Sequence, residues 1–446
     1  MVRAPDSSLP KQCDDWGDLK AAYRLLSNEN VDAQAIQTPH RQRTLSVCAR
    51  HEIVLCVQDD STLSFNSRTK VKGLGRLNDK GQGMIQHSTL AVTPAGKLLG
   101  VLDQFWFLRV EADTEETRKE RNERWRESEV WSEAVEHVGR SPSGCRFVHV
   151  MDRGGDTLES MAACREKGVG FVIRARHNRR VQGGEDLLWP WMARQPKSGT
   201  MTVTLGTQRD RQGRLVRRKR KAKVSIRFSK VQLEPSWNHP GSKVPQQVWV
   251  VYLREDNPPP GVEAVDWMLL TSEPVESLQD ALTIIAWYQH RWVIEEWHRV
   301  LKQGCRLEAS QLDDARDLER LAAIQSVVAV RLLQLRDLAG MATVTGKNNN
   351  GNETASDVTA EDPAALQRAV SWVWIEMVSL LAKEEPSQLT PRHFWLTIAR
   401  RGGWLGRRHD HRPGWIVIWR GWHDIHLLVE GVELKAATQN RTRKCG

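Results

Sequence analysis

Two short apolar runs fix the class of this chain. Ile53-Val-Leu-Cys-Val57 ends on Gln58-Asp59-Asp60-Ser61, and Arg146-Phe-Val-His-Val-Met151 ends on Asp152-Arg-Gly-Gly-Asp156. Runs this short, stopped by turn-forming polar residues, read as strands. The pattern around them repeats. Met84–Val92 is a second strand, Thr93-Pro-Ala-Gly96 a turn, and Leu98–Leu108 a third strand that completes a meander. Residues 114–138 are charged and helix-forming. Thr157–Lys167 is a helix that Gly168 ends, and Phe171–Arg176 is a further strand. Three strands, helix, strand, helix, strand is an α/β order. Sites in such folds lie where strand ends meet loops.

About ninety residues then interrupt this order. Thr200–Leu205 and Lys223–Phe228 alternate like exposed strands, Gln247–Leu253 is a third, and Asn257-Pro-Pro-Pro-Gly261 turns the chain. This reads as a β-rich insertion at about 178–262. Within it, Arg209–Lys223 holds nine Arg or Lys and one Asp. Trp267–Ser272 returns to a buried strand, and Ser277 is placed to cap a long helix. Leu318–Leu338 is a strongly apolar helix, and 346–360 a polar, Asn-rich linker. The part from 361 to 446 is mainly helical, with helices near Leu366–Lys383 and Asp424–Leu434. Residues 1–45 form a short helical segment with a turn at Ser27–Asn30.

The long helix carries Tyr288, Arg291, Glu295 and Lys302. At 100° per residue they fall at roughly 0°, −60°, −20° and −40°, on one narrow face. A phenol, two cations and a carboxylate make a poor core surface, but such a stripe can grip a phosphate near a metal. A solvated charged face is the plainer alternative. Asp59 and Asp152, each directly after an apolar strand, supply two more carboxylates. Three converging carboxylates bind one or two hard cations, which activate an attacking oxygen and stabilise a leaving oxygen at phosphorus. Ordinary turn formation is the plainer alternative for both aspartates. Glu296 falls near 80°, off the stripe, so the metal is assigned to Glu295; Arg299, near 20°, could touch a DNA backbone. Asp60 and Asp156 read as structural. Arg174, Arg176 and the Arg209–Lys223 run are candidate phosphate contacts, adding affinity without sequence choice.

These motifs, together with Leu269–Leu278 and Val328–Arg336, resemble those of DDE transposases of the IS-four family, Tn-five-like enzymes in particular. The Tyr-x2-Arg-x3-Glu-x6-Lys spacing is the specific part. The likeness runs from about Ala22 to Arg336, with a weaker echo at Gly402–Gly431. It implies an α/β, ribonuclease-H-like catalytic core over 46–345 and a C-terminal dimerisation domain over 361–446. It implies that Asp59, Asp152 and Glu295 hold Mg²⁺, with Mn²⁺ able to substitute. The implied reaction is cut-and-paste transposition: hydrolytic nicking at a transposon end, attack of the freed 3′-hydroxyl on a phosphodiester, and a hairpin on the way. Tyr288, Arg291 and Lys302 would contact the terminal phosphates, and Trp267 would stack a flipped base. The partners implied are double-stranded DNA, at the inverted repeats and at the target, and a second copy of the chain in a synaptic complex.

Charge agrees with such a partner: 65 Lys and Arg against 55 Asp and Glu leave a formal net charge of +10. The seven cysteines form no Cys-x-x-Cys pair, which argues against a zinc ribbon and fits a reducing cytosol. No apolar signal segment or membrane-length run is present, so the expectation is a bacterial cytoplasmic protein near the nucleoid, with no membrane partner. The 19 tryptophans, against 3 tyrosines and 7 phenylalanines, have no explanation at this level. Family members usually have a longer region ahead of the Ala22-Tyr-Arg stretch, so 1–45 reads as a truncated DNA-binding remnant. Two rival readings follow: a dimerisation partner that inhibits full-length transposase without catalysing, or a metal-dependent nuclease without strand transfer.

Overall fold

The computed structural model describes the chain apart from residues 1–4, 6, 67–70, 78–80, 110–116, 118–123, 183–185, 210–213, 236–241, 243, 342–358, 408, 411 and 445–446. Helices α1 (Trp16–Leu26) and α2 (Ala33–Cys48) are each capped by an aspartate, Asp15 and Asp32, whose carboxylate accepts first-turn amides. A meander follows: β1 (Ile53–Ser64), the short β2 (Gly75–Arg76), β3 (Gln82–Val92) and β4 (Leu98–Phe107). Then come α3 (Val130–Val138), β5 (Arg146–Met151), α4 (Leu158–Lys167) and β6 (Gly170–Arg174). Thr157 caps α4, and Gly168, in the left-handed region, ends it as expected. The insertion holds β7 (Arg180–Val181), β8 (Asp186–Leu187), α5 (Leu188–Arg194), β9 (Gly199–Leu205), β10 (Gln208–Arg209), β11 (Leu215–Arg217), β12 (Arg220–Leu233) and β13 (Gln246–Arg254). After β14 (Asp266–Thr271) come α6 (Leu278–Gln289), α7 (Trp292–Arg299) and α8 (Ala315–Leu338). The C-terminal part adds α9 (Pro363–Ala369), α10 (Trp372–Ala382), α11 (Pro391–Arg401) and α12 (Trp415–Lys444).

One sheet of twelve strands runs β2-β3-β1-β5-β6-β14-β13-β12-β7-β8, with β4 on β3 and β9 on β12. Strands β4, β3 and β1 are antiparallel, while β1, β5 and β6 are parallel. The insertion is therefore no separate body. Its strands β12 and β13 extend the central sheet through β14, which covers the edge that β6 would otherwise expose.

Both faces of the sheet are covered, and this explains the all-apolar run in β1. Leu55 and Val57 pack toward α6, α7 and α8; Val54 and Cys56 pack toward α3 and α4. Asp59 does not follow the strand, as the sequence suggested, but lies inside it. β1 continues to Ser64 because β3 pairs with it as far as Gly83. The apolar run marks only the part of β1 that β5 also flanks.

Other expectations need correction. Among the described residues of 114–138, Val130–Val138 is α-helix, preceded by a 3₁₀ turn at Glu127–Glu129. Just ahead of that turn, Trp125 packs on Phe107 with ring centroids 5.4 Å apart, and its indole donates to Glu133. Apart from residue 117, 110–123 lies outside the described residues, as does 346–358 of the linker. The helix expected near Leu366–Lys383 is two, α9 and α10, separated where Val370 turns extended. The last helix spans Trp415–Lys444 and not just Asp424–Leu434. Part of the tryptophan excess now has a use. Trp374 meets Trp422 at 4.6 Å, Trp395 meets Trp415 at 5.8 Å, and Trp415 stacks on Trp419 at 5.4 Å, so large rings lock the C-terminal helices together.

Candidate active site

Side chains alternate along a strand with period two. Asp59 thus shares the face of Leu55 and Val57, and Asp152 continues the parity of Val148 and Val150, on that same face. The parallel register ends at Val57 opposite Val150, so two residues further on Asp59 comes beside Asp152. Parity also puts Arg174 with Val172, and Trp267 with Leu269, on this face. Four residues from four strands are thereby aimed at α6 and α7 before any side-chain contact is considered.

The helical stripe survives, but on a broken helix. Ser277 and Asp280 form a reciprocal capping box at the start of α6. The α-helix then gives way at His290–Arg291 to tight bonds, from Arg291 N to Tyr288 O and from Val293 N to His290 O. At this point the His290 ring reaches out to the Pro94 carbonyl at 2.9 Å. Lys302 is not on α-helix at all, but on a π-turn, Val300–Gly304. Gly304 is required there: a Cβ would lie 2.0 Å from Trp419 of α12. The 100° rule thus fails past Arg299, and Lys302 reaches β1 by a wider turn, donating to the Thr62 carbonyl.

Arg291 is the centre of the site. Its guanidinium donates to Asp59 Oδ2 at 3.1 Å and to Glu295 Oε1 one turn further along. Burial pushes the Asp59 carboxyl up to about 7; the charges of Asp152, Asp60 and Glu295 push the same way, and Arg291 opposes them. A second cluster lies alongside. The Trp267 and Tyr288 rings meet edge-on at 5.5 Å, and Arg174 lies over the Trp267 ring at 5.4 Å. Burial raises the Tyr288 phenol above its ordinary value, which keeps it neutral. Arg176 and Arg299 are exposed and touch neither cluster.

Several supporting residues had no sequence signal. Asp60 faces the opposite side from Asp59 and pairs with buried His87, whose ring meets Trp131 edge-on at 5.0 Å. Trp131 closes on the turn after β5, where Gly154 N donates to Asp152 Oδ1 at 2.6 Å. Only glycine fits at 154, since a Cβ would lie 2.7 Å from the Trp131 ring. Glu308 accepts the Ser64 amide at 2.8 Å and holds the far end of β1. The structural reading of Asp156 agrees with its contacts: it is buried, pairs with Arg179 and accepts the amides of Arg176 and His177; Glu296, off the stripe, pairs with Arg336.

Among the described residues, no three His, Cys, Asp or Glu side chains lie close enough together to hold a metal ion. The Arg291 guanidinium sits between two of the three acids. The donor set still suits a hard divalent cation: it is all oxygen and on one face, and Asp59, raised mainly by burial, also feels the negative charges of Asp152 and Glu295.

Residues 111–330 match a family model described as transposase DDE domain, and residues 1–31 match one described as transposase DNA-binding. The first span contains Asp152 and Glu295, while Asp59 lies ahead of it, joined to the strand before Asp152 by the sheet and to Glu295 through Arg291. Among solved structures the chain is similar to a piggyBac transposase synaptic complex with hairpin DNA, determined by cryo-EM. The identity is 11%, over 79% of this chain and 69% of that one, with a TM-score of 0.28, too loose a likeness to carry an argument. No helix among the described residues is long and apolar enough to cross a membrane. The chain thus carries a transposase DDE domain, preceded by a transposase DNA-binding segment.

Proposed function

We propose that this chain is a DDE transposase of the IS-four, Tn-five-like kind, which cuts an element out through nicking and hairpin formation and joins its 3′-hydroxyl to target DNA. The observation that carries the reading is Arg291 bridging Asp59 and Glu295, which brings the helix of the third acid against the strand of the first. The strand order β4-β3-β1-β5-β6, antiparallel then parallel, supports a ribonuclease-H-like core. Asp59, Asp152 and Glu295 would hold a divalent cation, Mg²⁺ by preference, and that ion would supply charge neutralisation and activation of the attacking oxygen. The chain's own groups prepare the rest. Arg291, once released from the acids, offers a planar fork to a phosphate, and Lys302 a point charge. Tyr288 is a neutral hydrogen-bond donor, and Trp267 is a flat surface for an unstacked base. Exposed Trp372 and Leu380 on α10, with Ile416, Leu427 and Leu434 on α12, support dimerisation through the C-terminal part.

The test is direct. With Mg²⁺, the purified protein is expected to nick a duplex carrying the inverted repeats that flank its gene and to leave a random duplex of equal length intact. Equal cutting of both would favour a plain nuclease, and no cutting of either would favour the inhibitor.

A pH dependence follows from Asp59. Its folded carboxyl titrates near 7, above the ordinary carboxylate range, so a divalent cation must displace a proton when the pH is below that value. Calorimetric titration with Mn²⁺ in buffers of different ionisation enthalpy is expected to show about one proton released per ion at pH 6 and close to none at pH 8. The sign for the metal-free fold is the reverse of a salt-bridged acid. The raised carboxyl favours folding below the unfolded value, and that advantage is lost as pH rises through about 7. Proton release that does not change with pH would mean that the Asp59 carboxyl does not titrate near 7.

A further inference from the structure

The Asp59–Arg291–Glu295 bridge has a consequence beyond holding a helix. The guanidinium is close to buried, with 17% of its side chain exposed, and its partners are 15% and 29% exposed. The acids it joins are those assigned to the metal, and nearby Asp152 adds to the negative charge at Asp59. One cation already offsets part of the charge of the pair. A divalent ion entering the site must take the carboxylate oxygens from Arg291 and leave a buried guanidinium without partners, which is costly. A DNA phosphate removes that cost, because its oxygens match the guanidinium fork as a carboxylate does. Tyr288, three residues before Arg291, lies against Trp267, and Arg174 lies over that same ring, so a second cation and a phenol flank the bridge.

We propose that Arg291 is a resident cation that blocks divalent-ion loading until a DNA phosphate draws it off the acids, so that metal binding and DNA binding are coupled. The two events then strengthen each other by the same factor, since linkage is reciprocal. A protein built this way holds little metal when free, and cuts little DNA that does not place a phosphate against α7. The proposal rests on the assignment of Asp59 and Glu295 as metal ligands.

The experiment is Mn²⁺ binding to the full-length protein, followed by electron paramagnetic resonance of free Mn²⁺, with and without a short random-sequence duplex at low salt. Wild-type protein is expected to bind Mn²⁺ weakly alone and at least tenfold more tightly with duplex. Arg291→Ala should bind tightly without DNA and gain less than threefold from it. Arg291→Lys keeps the charge but lacks a fork to span both carboxylates, so it should fall between; it serves as the readout if the alanine variant misfolds by circular dichroism. If Arg291→Ala binds Mn²⁺ no more tightly than wild type while Glu295→Gln weakens binding, the metal site stands and the blocking role is overturned. If Glu295→Gln and Asp59→Asn leave Mn²⁺ binding unchanged, the metal-site reading fails and takes the proposal with it.

Discussion

Glu295→Gln is expected to abolish metal-dependent nicking, with the single-turnover rate falling by three orders of magnitude or more, about 4 kcal/mol of transition-state stabilisation. The substitution is nearly isosteric. Gln keeps a carbonyl oxygen that accepts from Arg291, so the α7 geometry and the second bond to Asp59 are retained. What is lost is one negative charge from a set of three, and with it most of the site's hold on a doubly charged ion. The comparison should be made at matched occupancy of DNA, measured by gel shift, because Arg291 remains available to phosphate. A rate within tenfold of wild type would move the third acid elsewhere.

The second large effect is on stability and belongs to the adjacent residue. Glu296 pairs with Arg336 across α7 and α8, with 6% and 7% of the two side chains exposed. Arg336 also binds Asp337 and lies near the Trp415 ring, so this pair links α7 to α12. Glu296→Ala takes away one partner of a buried guanidinium and is expected to cost about 3 kcal/mol. Glu295→Ala touches a more exposed carboxylate whose removal also relieves repulsion at Asp59, so its cost should stay within about 1 kcal/mol. Urea unfolding of the two variants checks this; equal midpoints would mean that the two neighbours had been given the wrong roles.

The assignment of these neighbours shows what could be read without coordinates. A single helical angle separates Glu295 from Glu296, and the contacts agree: one faces Asp59 through Arg291, the other faces Arg336. The caps at Gly168 and Ser277 were legible for the same reason, since each rests on bonds within a few residues. The break at His290 was not legible. Nothing local disfavours helix there, and the side chain instead answers to Pro94, nearly two hundred residues away. The π-turn at Lys302 follows from Gly304 yielding to Trp419, more than a hundred residues further on. Asp59 appeared to end a strand because hydrophobicity records burial, while the strand continues on pairing with β3.

The sequence by itself determined the periodicities: which acids follow apolar runs, which side chains share a helical face, where helices are capped. These depend on neighbours along the chain, and period two in a strand or 3.6 in a helix carries them. Only the tertiary structure decided that the insertion joins the main sheet, that Trp131 and His87 support the acids from behind, and that Arg291 lies between Asp59 and Glu295. Those contacts join residues far apart in sequence, and their geometry is set by how two covered faces of one sheet pack.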